Sequence, residues 1–173
     1  MLVRRVLCAL VTLLANVGGM SPAVAETVEA PQAVGDELYP GHDLVRVRYT
    51  NRTGSIAVTA WVGQLHANDQ LGVWASTRDA EDYNFFISVE LKHGQARARV
   101  YPVDFDTGGL DHEHPTCEAH AKYDTTREFI RVRAQDLCFG DHDLSTVLLS
   151  TDLGVRGKND VSDMTGNRRV RRD

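Results

Sequence analysis

The densest group of side chains able to do chemistry in this 173-residue chain is the run Asp104-Phe105-Asp106-Thr107-Gly108-Gly109-Leu110-Asp111-His112-Glu113-His114. Histidines at i and i+2 point to one side of an extended chain, as two metal ligands require. Asp104, Asp106 and Asp111 could add oxygens for a hard cation. Counted from Asp104, however, the twelfth position is Pro115, where an EF-hand loop needs a carboxylate, and no spaced Cys or His completes a zinc set. A solvated acidic loop with no bound metal is the expectation. His142 lies beside Asp141, Asp143 and Ser145, yet triad members converge from separate elements rather than from one turn. The chain has no G-x-S-x-G, no H-E-x-x-H and no glycine-rich phosphate loop. Twenty-four acidic residues make chance carboxylate pairs unavoidable, so such pairs do not point to a glycosidase. The chain reads as non-catalytic and free of cofactors.

Aromatic residues suggest a different chemistry. Trp61 lies on the other side of its strand from Val58 and Val62, and Trp74 opposes Leu71 and Val73. Phe86 opposes Phe85 and Ile87, while Tyr101 shares a face with Arg97 and Arg99. If these four strands are neighbours, one sheet displays Trp61, Trp74, Phe86 and Tyr101 among Thr59, Ser76, Ser88, Glu90 and Arg99. Flat rings beside hydrogen-bonding groups suit a sugar ring or a protein partner, because they offer apolar area with little entropy to lose. The alternative is that loops or the N-terminal segment cover this face and make it a second small core. A one-residue bulge would flip any of these assignments.

The elements that must position these residues are strands. Val45, Val47 and Tyr49 alternate with Arg46, Arg48 and Thr50, and the turn Asn51-Arg52-Thr53-Gly54 follows. Ile56, Val58, Ala60 and Val62 share one face. Further alternating sets are Leu71, Val73 and Ala75, then Phe85, Ile87, Val89 and Leu91, then Ala96, Ala98 and Val100. Turns fall at His66-Ala67-Asn68-Asp69 and Lys92-His93-Gly94-Gln95. Later strands are expected over 118–123, 128–134 and 146–150. With no sustained helical period, about eight short strands predict an all-β, single antiparallel β-sandwich over residues 43–153. Residues 26–42, without periodicity, read as an irregular leader or edge segment. Residues 154–173, ending Arg168-Arg169-Val170-Arg171-Arg172-Asp173, read as a flexible tail. Docking on an anionic surface and proteolytic processing are the alternatives for that arginine cluster.

The chain opens with the features of a signal peptide. Arg4 and Arg5 precede an apolar run over 6–17, and Ala23-Val24-Ala25 is a small-x-small cleavage site, so cleavage is expected after Ala25. The run would rise only about 18 Å as a helix, short of the roughly 30 Å hydrocarbon core, so no stable membrane insertion is expected. A secreted product beginning at Glu26 loses two of nineteen basic residues against twenty-four acids, and its formal charge moves from −5 to −7. That acidic balance argues against nucleic-acid binding. Cys8 leaves with the leader, and in an oxidising compartment Cys117 and Cys138 have one possible pairing, a structural disulfide.

Several of these pieces together resemble a family of small secreted actinobacterial proteins with no assigned activity. They are Gly35-Asp36, Asp43-Leu44-Val45-Arg46-Val47, Val58-Thr59-Ala60-Trp61-Val62 with Leu65, Cys117, Tyr123-Asp124, Ile130-Arg131-Val132 and Cys138-Phe139-Gly140. The chain has Ala134-Gln135-Asp136 where such proteins often carry a Pro. The layout is also similar to DOMON-type and family-nine carbohydrate-binding sandwiches. The resemblance implies the sandwich and not a ligand. The expected role is non-catalytic binding of a glycan or cell-wall polymer. The alternatives are a secreted protein-interaction or inhibitor domain, gripping an extracellular protein with a loop such as 104–115, and a secreted hydrolase.

Overall fold

The computed structural model describes residues 26–31, 42–78, 80, 83–104, 109–110, 113–156 and 161–173. Twelve antiparallel strands and one short 3-10 turn (Asp136–Phe139) build it. In chain order they are β1 (Glu26–Pro31), β2 (Leu44–Arg52), β3 (Ser55–Val62), β4 (Asp69–Thr77), β5 (Phe85–Lys92) and β6 (Gln95–Asp104). There follow β7 (Gly109–Leu110), β8 (Cys117–Asp124), β9 (Phe129–Gln135), β10 (Thr146–Val155), β11 (Val161–Met164) and β12 (Arg168–Arg171). Neighbouring strands run β1-β2-β3-β9-β8-β6-β5-β4-β10-β11, with β12 also on β10 and β7 on β6. The result is one continuous curled sheet, a half-barrel.

Alternation puts the apolar side chains inside the curl. Val47 and Tyr49 of β2, Ile56, Val58 and Ala60 of β3, and Ile130 and Val132 of β9 face Leu71 and Val73 of β4, Ile87 and Val89 of β5, and Leu149 and Leu153 of β10. Polar groups tie the two sides of the curl together. Tyr49 Oη bonds Thr165 Oγ1 at 2.6 Å, and Tyr123 Oη donates to the carbonyls of Asp69 and Val89 at 2.9 and 3.2 Å. Burial pushes both phenols above the ordinary tyrosine range. Two hairpins close as their turn residues dictate. Thr53-Gly54 joins β2 to β3 with Gly54 at φ 91°, and His93-Gly94 joins β5 to β6 with both residues at positive φ, the primed-turn requirement.

The all-β antiparallel expectation holds, and Cys117 is bonded to Cys138 across 21 positions, with Cα atoms 5.3 Å apart. Other expectations change. Of the segment read as an irregular leader or edge, Glu26–Pro31 is regular: it is strand β1, paired to β2. Within residues 154–173, expected to be a loose tail, Gly154 and Val155 complete β10, and Val161–Met164 and Arg168–Arg171 form β11 and β12, both paired to β10. Strand β12 carries little apolar signal because Val170 is its one buried residue and its remaining anchors are polar. Arg172 grips Asp136 through two guanidinium bonds of 2.8 and 3.0 Å, and Asn51 Nδ2 donates to the carbonyls of Leu144 and Val170. Val45, expected to face inward with Val47, is 38% exposed. A bulge between Leu44 and Arg46 turns it out and buries Leu44 instead. The expected signal peptide and the Gly35-Asp36 step lie outside the described residues, among which no helix is long and apolar enough to cross a membrane.

Candidate functional site

Trp74, Phe86 and Tyr101 meet as expected. They are direct cross-strand partners on β4, β5 and β6, with Ser150 of β10 next in the row. The Trp74 and Phe86 rings lie 4.6 Å apart, and Tyr83 approaches Trp74 from outside at 6.0 Å. The row is partly closed over: Tyr101 is only 7% exposed, and the Trp74 indole N–H already donates to Asp152 Oδ2 at 2.6 Å. That carboxylate lies flat over Gly72, where an added Cβ would sit 2.3 Å from Asp152 Oδ1. Burial raises the Asp152 pKa, partly countered by the bonds from Trp74 and the Gly72 amide. Trp61 does not join them. β3 is separated from β6 by β9 and β8, so the four strands are not neighbours and Trp61 belongs to another face.

On that second face the side chains opposite the core of β2, β3 and β9 line a groove of about 320 Å³. Its cations are Arg48, Arg52, Arg131 and Arg133, and Thr27, Thr50, Ser55 and Thr59 supply hydroxyls between them. Strand register sets the pattern. Glu29, Arg48, Thr59, Arg131 and Lys122 form one row across β1, β2, β3, β9 and β8, and Thr27, Thr50, Ala57, Arg133 and His120 form the next. Arg131 Nε donates to Thr59 Oγ1 and Arg133 Nε to Ser55 Oγ, each at 3.0 Å, which anchors both guanidinium groups to hydroxyls of the groove lining. Glu29 pairs with Arg48 and, more distantly, Arg46; Lys122 pairs with Asp124. Among the described residues no carboxylate pairs with Arg52, Arg131 or Arg133. Trp61 forms one wall beyond the groove, with Arg46 stacked 3.9 Å above its ring and Phe129 alongside.

Two histidine groups complete the inventory. His42 Nδ1 bonds Asp69, a buried carboxylate that also accepts the His66 amide at 2.7 Å, and the two imidazoles lie 4.6 Å apart. Burial raises the Asp69 pKa above the ordinary carboxylate value. The cluster pins the start of β2 to the start of β4. Near His142, Ser145 Oγ accepts from Arg78, and Asp143 pairs with Arg78 and accepts the Ser145 amide, while His142 Nδ1 lies 3.5 Å from Asn84 Nδ2. Asp106, Asp111 and His112 of the acidic run lie outside the described residues. Among those described, no group of three or more His, Cys, Asp or Glu is placed to hold a metal.

The arginine groove is not among the sites that the sequence predicts. Its signal was present: Arg46 and Arg48 alternate with Val47 and Tyr49, and Arg131 and Arg133 with Ile130, Val132 and Ala134. What alternation lacks is the pairing of β3 with β9, whose partners lie 68 to 80 positions apart. No protein-family model matches this chain, and no curated protein matches it.

Proposed function

We propose that this chain is exported and serves as a non-catalytic binding domain for an anionic glycan, held in the groove of Arg48, Arg52, Arg131 and Arg133. The carrying observation is the concentration of guanidinium groups, three of them without a carboxylate partner among the described residues, on one face of a chain whose formal charge is −5. Guanidinium forks match carboxylate oxygens in pairs, and the interleaved Thr and Ser hydroxyls suit a ligand rich in hydroxyls. Trp61, capped by Arg46, borders this site. The Trp74, Phe86 and Tyr101 row, with its indole N–H engaged, serves packing. The two sides of the curled sheet stand as the layers of a sandwich around one core, the layout of the carbohydrate-binding domains and the small secreted actinobacterial family that the sequence resembles. Export rests on the sequence: Arg4 and Arg5, the apolar run over 6–17 and the small-x-small step Ala23-Val24-Ala25.

Isothermal titration with polygalacturonate, against neutral dextran, tests the reading. Binding to the acidic polymer should fall at least tenfold in Arg131→Ala/Arg133→Ala and remain within about twofold in Phe86→Ala. The reverse pattern would move the site to the aromatic row, and equal binding of dextran would end the anionic reading.

A further inference from the structure

A second cationic groove, of about 510 Å³, lies on β4, β10 and β12, lined by Arg78, Arg169 and Arg171 with Ser76, Thr77 and Thr146. It is built from the arginine-rich segment that the sequence presents as a tail. Register aligns it: Leu148 stands between Ser76 and Arg169, and Thr146 opposite Arg171. Resting on the reading above, we propose that the two grooves are one track around the outside of the sheet, and that its ligand is an acidic polysaccharide chain long enough to occupy both.

Three observations carry this. First, both grooves sit at the same end of the sheet. β2 ends at Arg52, β4 at Thr77 and β12 at Arg171, while β1 begins at Glu26, β3 at Ser55 and β10 at Thr146. Second, the grooves meet at a seam where β12 lies along β1. The Arg171 amide donates to the Glu26 carboxylate, and the next residue, Thr27, lines the first groove and faces Thr50. Third, among the described residues neither the Arg169 nor the Arg171 guanidinium has a carboxylate partner, whereas Arg78 faces Asp143 at 3.7 Å. From β9 to β4 the path crosses five paired strand steps and the seam, on the order of 30 Å at about 4.8 Å per step. Hydroxyls alternate with arginines along it, and neither groove lining includes an aromatic residue of the kind on which nucleic-acid bases stack. A carbohydrate bearing carboxylates at intervals fits that lining. Two carboxylates oppose the ligand at the crossing among the described residues: Glu26, on the Arg171 amide, and Asp173, which accepts from the Thr53 amide.

The test compares a galacturonic acid trimer with a dodecamer by isothermal titration. The dodecamer should bind at least tenfold more tightly than the trimer. Arg169→Ala/Arg171→Ala should remove most of that advantage and leave the trimer unchanged, whereas Arg131→Ala/Arg133→Ala should weaken both. Glu26→Gln, which keeps an acceptor for the Arg171 amide, should tighten the dodecamer alone, by about threefold. If dodecamer and trimer bind alike, or the β12 variant keeps the dodecamer advantage, the track is overturned while the first groove stands. Should Arg131→Ala/Arg133→Ala change neither ligand, the underlying reading fails. A single-stranded DNA oligonucleotide of equal charge binding as well as the dodecamer would overturn the polysaccharide assignment.

Discussion

Asp152 shows how one residue's surroundings control its chemistry. Its carboxylate fills the space that Gly72 leaves open, accepts the Trp74 indole and is nearly enclosed by the sheet. Burial disfavours the charged form, so the folded state holds this proton more tightly than the unfolded chain does. The sign of the linkage follows. Asp152 contributes stability below the ordinary carboxylate value, and that contribution is lost as pH rises through the raised folded value. Asp69, also raised by burial, acts in the same direction. Asp152→Asn keeps an acceptor for Trp74 and removes the titration. Its thermal midpoint should exceed that of the parent at neutral pH and converge with it in acid, which a pH series of melting curves would measure. A variant that is less stable at every pH would show that the charge itself is needed there.

Among the elements, β8 and the turn after β9 are held together by a covalent bond beside a short strand junction. β6 and β8 share three registered pairs, against eight between β5 and β6. The Cys117–Cys138 bond enters at that junction, reinforced by Thr116 Oγ1 donating to the Cys138 carbonyl at 2.8 Å. Closing a loop of this length contributes about 3 kcal/mol in the chain-entropy account. Cys117→Ser/Cys138→Ser should lose about that much in urea unfolding, and reductant should lower the parent to the same level. A loss below about 1 kcal/mol would mean that β6–β8 pairing suffices alone. Strand β12 teaches a complementary lesson. Four arginines in five positions read as solvated chain, yet an edge strand is held by backbone pairing, one buried Val170 and the Arg172–Asp136 pair.

For the whole molecule, charge is segregated rather than scarce. A chain of net −5 carries two arginine-lined grooves on its outer surface, so its average charge misstates what a ligand meets. Exposed ion pairing of this kind is screened by salt, whereas the apolar core is not. Affinity for polygalacturonate should therefore fall by about tenfold or more between roughly 0.05 and 0.5 M sodium chloride, while the urea midpoint of unfolding stays nearly constant. Salt-insensitive binding would point to an apolar contact and away from the arginines.

The sequence by itself determined the class of the fold, the faces of most strands and the disulfide. Side-chain alternation has a period of two residues and is written locally, and two cysteines in the expected exported chain leave a single pairing. It placed Trp74, Phe86 and Tyr101 on one row because their strands follow one another along the chain and pair in that order. Only the tertiary structure decided which strands lie side by side when they are distant in the chain. Alternation says which side a residue faces and nothing about its neighbour across a strand gap. That choice separated Trp61 from the other aromatics, brought Arg131 and Arg133 beside Arg48 and Arg52, and turned the terminal arginines from a tail into an edge of the sheet. The bulge at Val45 belongs to the same category, since one inserted residue changes the face of its neighbours without altering the composition that predicts them.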